Sequence, residues 1–199
     1  MAGIKAARGN MGAAGSTDPD LAATAFHEAG HAVMAFRLGM TCGPATIRPD
    51  KAAGSLGSVA GGKMPAWADD QSREHVPKVQ RWFENSVRCY LAGHITEKRY
   101  LGKEPEFGSE GDFHECVGFA LHFCGSTREA EAWLHWLHIA TEEVCEHPMW
   151  WKATEAVAAA LLEHETLSAR RVRETIQESF AAQMEVARTA RAAEAPNGK

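Results

Sequence analysis

No stretch of this chain is apolar for long enough to cross a bilayer. Its longest such run, Ala156 to Leu162, falls far short of the ~20 residues a spanning helix needs. Basic residues form no cluster and the formal net charge is -5, so neither nucleic acid nor an anionic membrane surface is an expected partner. No cysteine pair has C-x-x-C spacing. The five thiols, Cys42, Cys89, Cys116, Cys124 and Cys145, read as buried side chains in a reducing compartment. There is no G-x-x-x-x-G-K-[ST] phosphate loop, which excludes ATP hydrolysis by that route. The opening MAGIKAARGNMGAAGS lacks an apolar centre and does not read as a secretory leader. These absences together predict a cytoplasmic protein.

What remains is ordinary globular material. With 199 residues, 45% of them hydrophobic, the chain can bury a core without disulfides or a structural metal. Any metal it binds is therefore expected to serve chemistry rather than folding.

The periodicity predicts a mainly α protein with a small β-hairpin or edge strand after the first helix. Residues 1–16 carry too little apolar surface to order. Asp18 and Pro19 fit the N-cap and first position of a helix that runs to Leu38 and stops at Gly39. Residues 45–48 and 56–59 read as two short strands, and 61–72 as loop. Helices are expected over 77–101 and 112–122. Another opens on a Ser126–Glu129 capping box and closes at Pro148, and two more cover 150–164 and 168–192. The domain expected is 17–192, with 193–199 frayed.

One motif carries chemistry. His27-Glu28-Ala29-Gly30-His31 has the form H-E-x-x-H. Each helical residue advances about 100°, so His27 and His31 lie one above the other and can reach one ion. Zinc suits two imidazoles and a carboxylate with a fourth position open to water. Glu28, one residue round, can serve as general base toward that water without ligating. Histidines on a solvated helix face would give the same string by chance. The surroundings favour chemistry: the motif lies inside a long capped helix, and Ala29 and Gly30 let another element pack close.

The stretch TAFHEAGHAVMAFRLG resembles the zinc-peptidase domain of the FtsH family of ATP-dependent proteases. Further segments match in the same order. ATIRPDKAAGSLG is similar to the strand-turn segment after the motif helix. LAGHITEKRYLG resembles the family's L-A-G-R-x-A-E-E helix, and GSEGDF its G-A-x-x-D-L segment. ATEAVAAALLEHETLSARRVRETI resembles its C-terminal helices. The resemblance covers roughly residues 18–180. It implies His27 and His31 as zinc ligands, Glu28 as base and Asp112 as third ligand. On its residues alone, Asp112 reads as a helix N-cap after Gly108 and Gly111. The resemblance also implies that Leu56, Gly57, Ser58 and Val59 form an edge strand that pairs with an extended peptide; an ordinary hairpin arm is the alternative. The family carries an unfoldase and a membrane anchor. Neither is visible here, so an unfolded substrate or a separate ATPase partner is expected, and a homo-oligomer is compatible. His94 stands where the family usually has arginine.

Other side chains invite weaker readings. Glu97 can orient a ligand histidine, but near a helix end it reads rather as a surface acid. His114, two residues past Asp112, points away from it and is rejected as a ligand. His135 and His138 have metal-compatible spacing without a partnering acid and read as packing or surface. Trp133, Trp136, Trp150 and Trp151 read as core, with a subunit interface as the alternative. The function expected is a zinc metallopeptidase acting on peptides or unfolded proteins. The competing expectations are a non-catalytic or regulatory metal-binding module that keeps the fold, and a peptidase that cuts one specific partner.

Overall fold

The computed structural model describes residues 19–49, 57–61, 77–105 and 110–194. Leu56, Asp18, Gly108 and most of the loop expected at 61–72 lie outside these residues. The described chain is mainly helical: α1 (Pro19–Arg37), α2 (Pro77–Leu101), α3 (Glu110–Phe123), α4 (Thr127–Glu146), α5 (Pro148–His164) and α6 (Ala169–Glu194). Three short strands, β1 (Cys42–Thr46), β2 (Ser58–Gly61) and β3 (Thr166–Leu167), form one antiparallel sheet in the order β2-β1-β3.

α1 organises the whole. Its alanines Ala25, Ala29 and Ala32 are fully buried against Ala153, Val157 and Leu161 of α5 and against Ile47, Leu167 and Ile176. Small side chains here let neighbouring backbones approach, and the larger residues of the partners fill the space. The helix ends where Gly39 takes φ +66°, a left-handed value that costs glycine nothing. The Met40 amide then donates to Ala35 O at 2.9 Å and the Gly39 amide to Phe36 O at 3.2 Å, which satisfies carbonyls the helix leaves open.

α2 crosses α1 on the opposite side from α5. The crossing point is Gly30: a Cβ there would lie 2.5 Å from Ala92 O and would run into the Thr96 hydroxyl. That hydroxyl sits 2.9 Å from Phe26 O and 2.8 Å from Ala92 O, tying the two helices together. The close crossing sets the distance between the motif on α1 and the side chains of α2. α3 and α4 pack on α2 through Val87, Cys116 and Leu137, which share a core cluster.

Helix positions follow the sequence pattern. Ser126 caps α4 by accepting from the Glu129 amide at 3.2 Å. The Glu129 carboxylate, however, accepts from the Gly125 amide, one residue ahead of the usual capping-box partner. β1 starts and ends earlier than 45–48, and β2 starts later than 56–59. β3 was not expected at all. Two residues are too few to show alternation. Its place is set by Glu165, which ends α5 at φ 58° and accepts from the Ile47 amide at 2.9 Å.

Candidate metal centre

The i, i+4 spacing on α1 turns both motif imidazoles toward α2 and α3, with ring centroids 4.7 Å apart. α3 begins at Glu110, so Asp112 lies inside its first turn. The cap reading of Asp112 is thereby corrected: the helix has already started two residues before it. Its carboxylate instead meets the histidines. Oδ2 is 2.9 Å from His27 Nε2 and 3.1 Å from His31 Nε2. The three candidate ligand atoms all lie within 4.8 Å of one another, a group able to hold a metal ion. The N-terminus of α3 also favours a negative charge at this position.

The outer nitrogens decide what the inner ones can do. His31 Nδ1 donates to the carbonyl of Cys89 at 2.7 Å, and a carbonyl can only accept. His27 Nδ1 donates to Glu97 Oε2 at 2.9 Å. Both rings therefore spend their Nδ1 proton outward, and in the neutral state each aims an Nε2 lone pair at the Asp112 oxygen. Two lone pairs and a carboxylate oxygen at these distances repel unless a cation lies among them. A proton fills that role in the metal-free protein. Burial disfavours charge on His27, but hydrogen bonds to Asp112 and Glu97 and the charges of Glu28 and Asp112 outweigh it and push its pKa up to about 10. Burial likewise opposes ionisation of Asp112, yet the hydrogen bonds and charges of His27 and His31 hold it well below the usual carboxylate range. Metal uptake must displace the His27 proton.

A second observation tests the fit. Gly93 on α2 lies against the inner nitrogens: a Cβ there would sit 2.5 Å from His31 Nε2 and 2.8 Å from His27 Nε2. Any side chain at 93 would occupy the space that the ligand atoms share. The residues present fit a divalent ion held by two imidazoles and one carboxylate oxygen.

Glu28 stands beside this group. It is 5% exposed, and among the described residues its Oε2 has no hydrogen-bond partner. Burial pushes its pKa up, while the charges of His31 and His27 pull it back. Gly57, at the entry to β2, packs on it so closely that a Cβ would fall 2.7 Å from Glu28 Oε1. Ser58 is exposed and Val59 half-buried, and both belong to β2, an outer strand of the sheet. Leu56 is not among the described residues. Among the described residues β2 is thus an outer strand of the sheet, with its entry beside the acid of the motif.

The reading of Glu97 as a surface acid is corrected. It is 7% exposed and holds His27. The sequence signal was available: Gly93 and Glu97 are four apart on one helix face, matching the four-residue step from His27 to His31. The Cys89 carbonyl, by contrast, leaves no trace in residue type. His114 and His135 are exposed and His138 is half-buried; none joins a metal-capable group among the described residues. His94 Nε2 lies 3.3 Å from Glu104 Oε2, away from the ligand set. Trp133, Trp150 and Trp151 are half-buried, while Trp136 is 53% exposed and is not core. The five cysteines are free, and burial pushes Cys89, Cys116 and Cys145 up to about 12, so these thiols are poor ligands and nucleophiles. No helix among the described residues is long and apolar enough to cross a membrane. No protein-family model matches the chain, and no curated protein matches it.

Proposed function

We propose that this chain is a zinc metallopeptidase related to the FtsH-family peptidase domain, with His27, His31 and Asp112 as ligands and Glu28 as general base. The observation that carries the reading is the buried Glu28 carboxylate, which has an oxygen without a hydrogen-bond partner among the described residues, beside three converging ligand atoms. A buried carboxylate oxygen left without a hydrogen bond costs stability, and such a cost is typical of a group held for chemistry. Zinc is the ion best suited to two nitrogens and one carboxylate oxygen. When bound, it supplies a Lewis acid that acidifies water and polarises a carbonyl.

The remaining work falls to the chain. Glu28 takes a proton from the attacking water as the water oxygen bonds to the scissile carbonyl carbon. It then delivers that proton to the amine nitrogen as the C–N bond breaks. Its raised pKa brings proton gain and loss nearer neutrality. Glu97 and the Cys89 carbonyl keep both imidazoles in the tautomer that leaves Nε2 free. β2 offers an outer edge, beginning at Gly57 against Glu28, on which an extended peptide can lie with little sequence selectivity. Unfolded polypeptide is accordingly the substrate class. A separate ATPase would supply whatever unfolding is needed.

The test is reconstitution. Protein stripped by a chelator is expected to lose cleavage of a disordered protein substrate and to regain it with one equivalent of zinc. A protein that binds zinc yet cleaves no peptide or disordered protein would instead be the non-catalytic, regulatory module.

A further inference from the structure

The face that α2 turns toward the metal centre is a stripe of three residues spaced i, i+3, i+7: Tyr90, Gly93 and Glu97. Two of them already have roles. Glu97 holds His27, and Gly93 leaves room for both ligand nitrogens. Tyr90 continues the stripe by one turn, and its ring meets His31 edge-on at 6.5 Å between centroids. Phe119 of α3 lies 6.0 Å away at 35°, and Val87 and Cys116 pack in the same cluster. The ring is therefore fixed between the ligand helix α1 and the helix that carries Asp112.

Its hydroxyl differs from three polar side chains of the same helix. Thr96 is tied to Phe26 O, Ser86 to Trp82 O and Glu97 to His27. Among the described residues the Tyr90 hydroxyl has no hydrogen-bond partner, and the side chain is half-buried rather than sealed. A phenol that packs against Phe119 and a ligand imidazole, with its hydroxyl free of partners among the described residues, can donate to a group that arrives beside the metal centre. Phenylalanine would fill the packing role at least as well.

We propose that Tyr90 is a catalytic hydrogen-bond donor, its O–H aimed at the carbonyl oxygen of the bound peptide as that oxygen gains negative charge. This rests on the peptidase reading above. The donor gives a hydrogen bond and keeps its proton, so no further acid is required. It acts where charge develops, and such donors lower the barrier more than they strengthen substrate binding.

The experiment is Tyr90→Phe, reconstituted with zinc beside the parent. Zinc content, thermal unfolding, steady-state cleavage of a disordered substrate and affinity for a phosphinic peptide are measured. The phosphinic group places an anionic oxygen on a tetrahedral centre, as the attacked carbonyl does. The expected result is parental zinc content and unfolding temperature, kcat down by ~100-fold with little change in KM, and phosphinic affinity down by about 10- to 100-fold. Parental kcat and phosphinic affinity in the variant would overturn the inference and leave the peptidase reading intact. Loss of zinc or of folding in the variant would make Tyr90 a packing residue and overturn it equally. A parent that neither cleaves peptide nor binds the phosphinic compound would overturn both.

Discussion

Glu28→Gln is expected to lower peptide cleavage by ~10²- to 10⁴-fold while leaving bound zinc unchanged. The amide keeps the shape of the carboxylate against Gly57, so the strand entry should not move. In the proposed mechanism it removes the group that accepts and returns a proton, for which the other buried acids among the described residues offer no substitute. Asp112 and Glu97 are already committed to the histidines. A neutral amide also escapes the burial penalty that raises the Glu28 pKa, so the variant should unfold at or above the parental temperature. Retained metal with lost turnover separates the base from the ligands. If turnover stayed within a few-fold of the parent, another group would be the base.

Gly93→Ala should abolish metal binding. The added Cβ would sit 2.5 Å from His31 Nε2 and 2.8 Å from His27 Nε2. Non-bonded heavy atoms need about 3.5 Å or more. One partner must therefore give way by roughly 1 Å, whereas metal–ligand distances tolerate only about 0.2 Å. The imidazoles cannot swing aside freely, because Cys89 O and Glu97 hold their outer nitrogens. The fold itself should survive: alanine is favoured over glycine inside a helix by about 1 kcal/mol, which partly offsets the strain. Circular dichroism at the parental level with no zinc retained is the outcome to look for. Full zinc content in this variant would mean that α2 does not back the ligand atoms.

The sequence made part of this site legible, for reasons that differ residue by residue. His27, Glu28 and His31 are visible because one helical turn brings them together, and spacing along the chain is then spacing in space. Asp112 comes from 81 positions beyond His31, and only how the helices pack decides whether its carboxylate caps a helix or meets two imidazoles. Residue type favoured a cap, whereas the resemblance of GSEGDF to a known ligand segment favoured ligation. The packing rules out the cap, since α3 starts before Asp112, and brings the carboxylate to both imidazoles in a group that could hold a metal ion. Glu97 was misread because a charge near a helix end is ordinarily solvated; its burial depends on α1 crossing α2 at Gly30. The helices were legible from their periodicity and from glycines such as Gly39 and Gly102, both at positive φ. The two-residue β3 was not, because its pairing with Ala45 and Thr46 is a consequence of how α5 ends.

The central claim is that His27, His31 and Asp112 share one ion, and X-ray absorption at the zinc edge of the reconstituted protein tests it most directly. One zinc per chain is predicted, surrounded by nitrogen and oxygen at about 2.0–2.2 Å with the outer-shell pattern of two imidazoles. Sulfur neighbours at about 2.3 Å, or a chain that retains no zinc, would contradict the account.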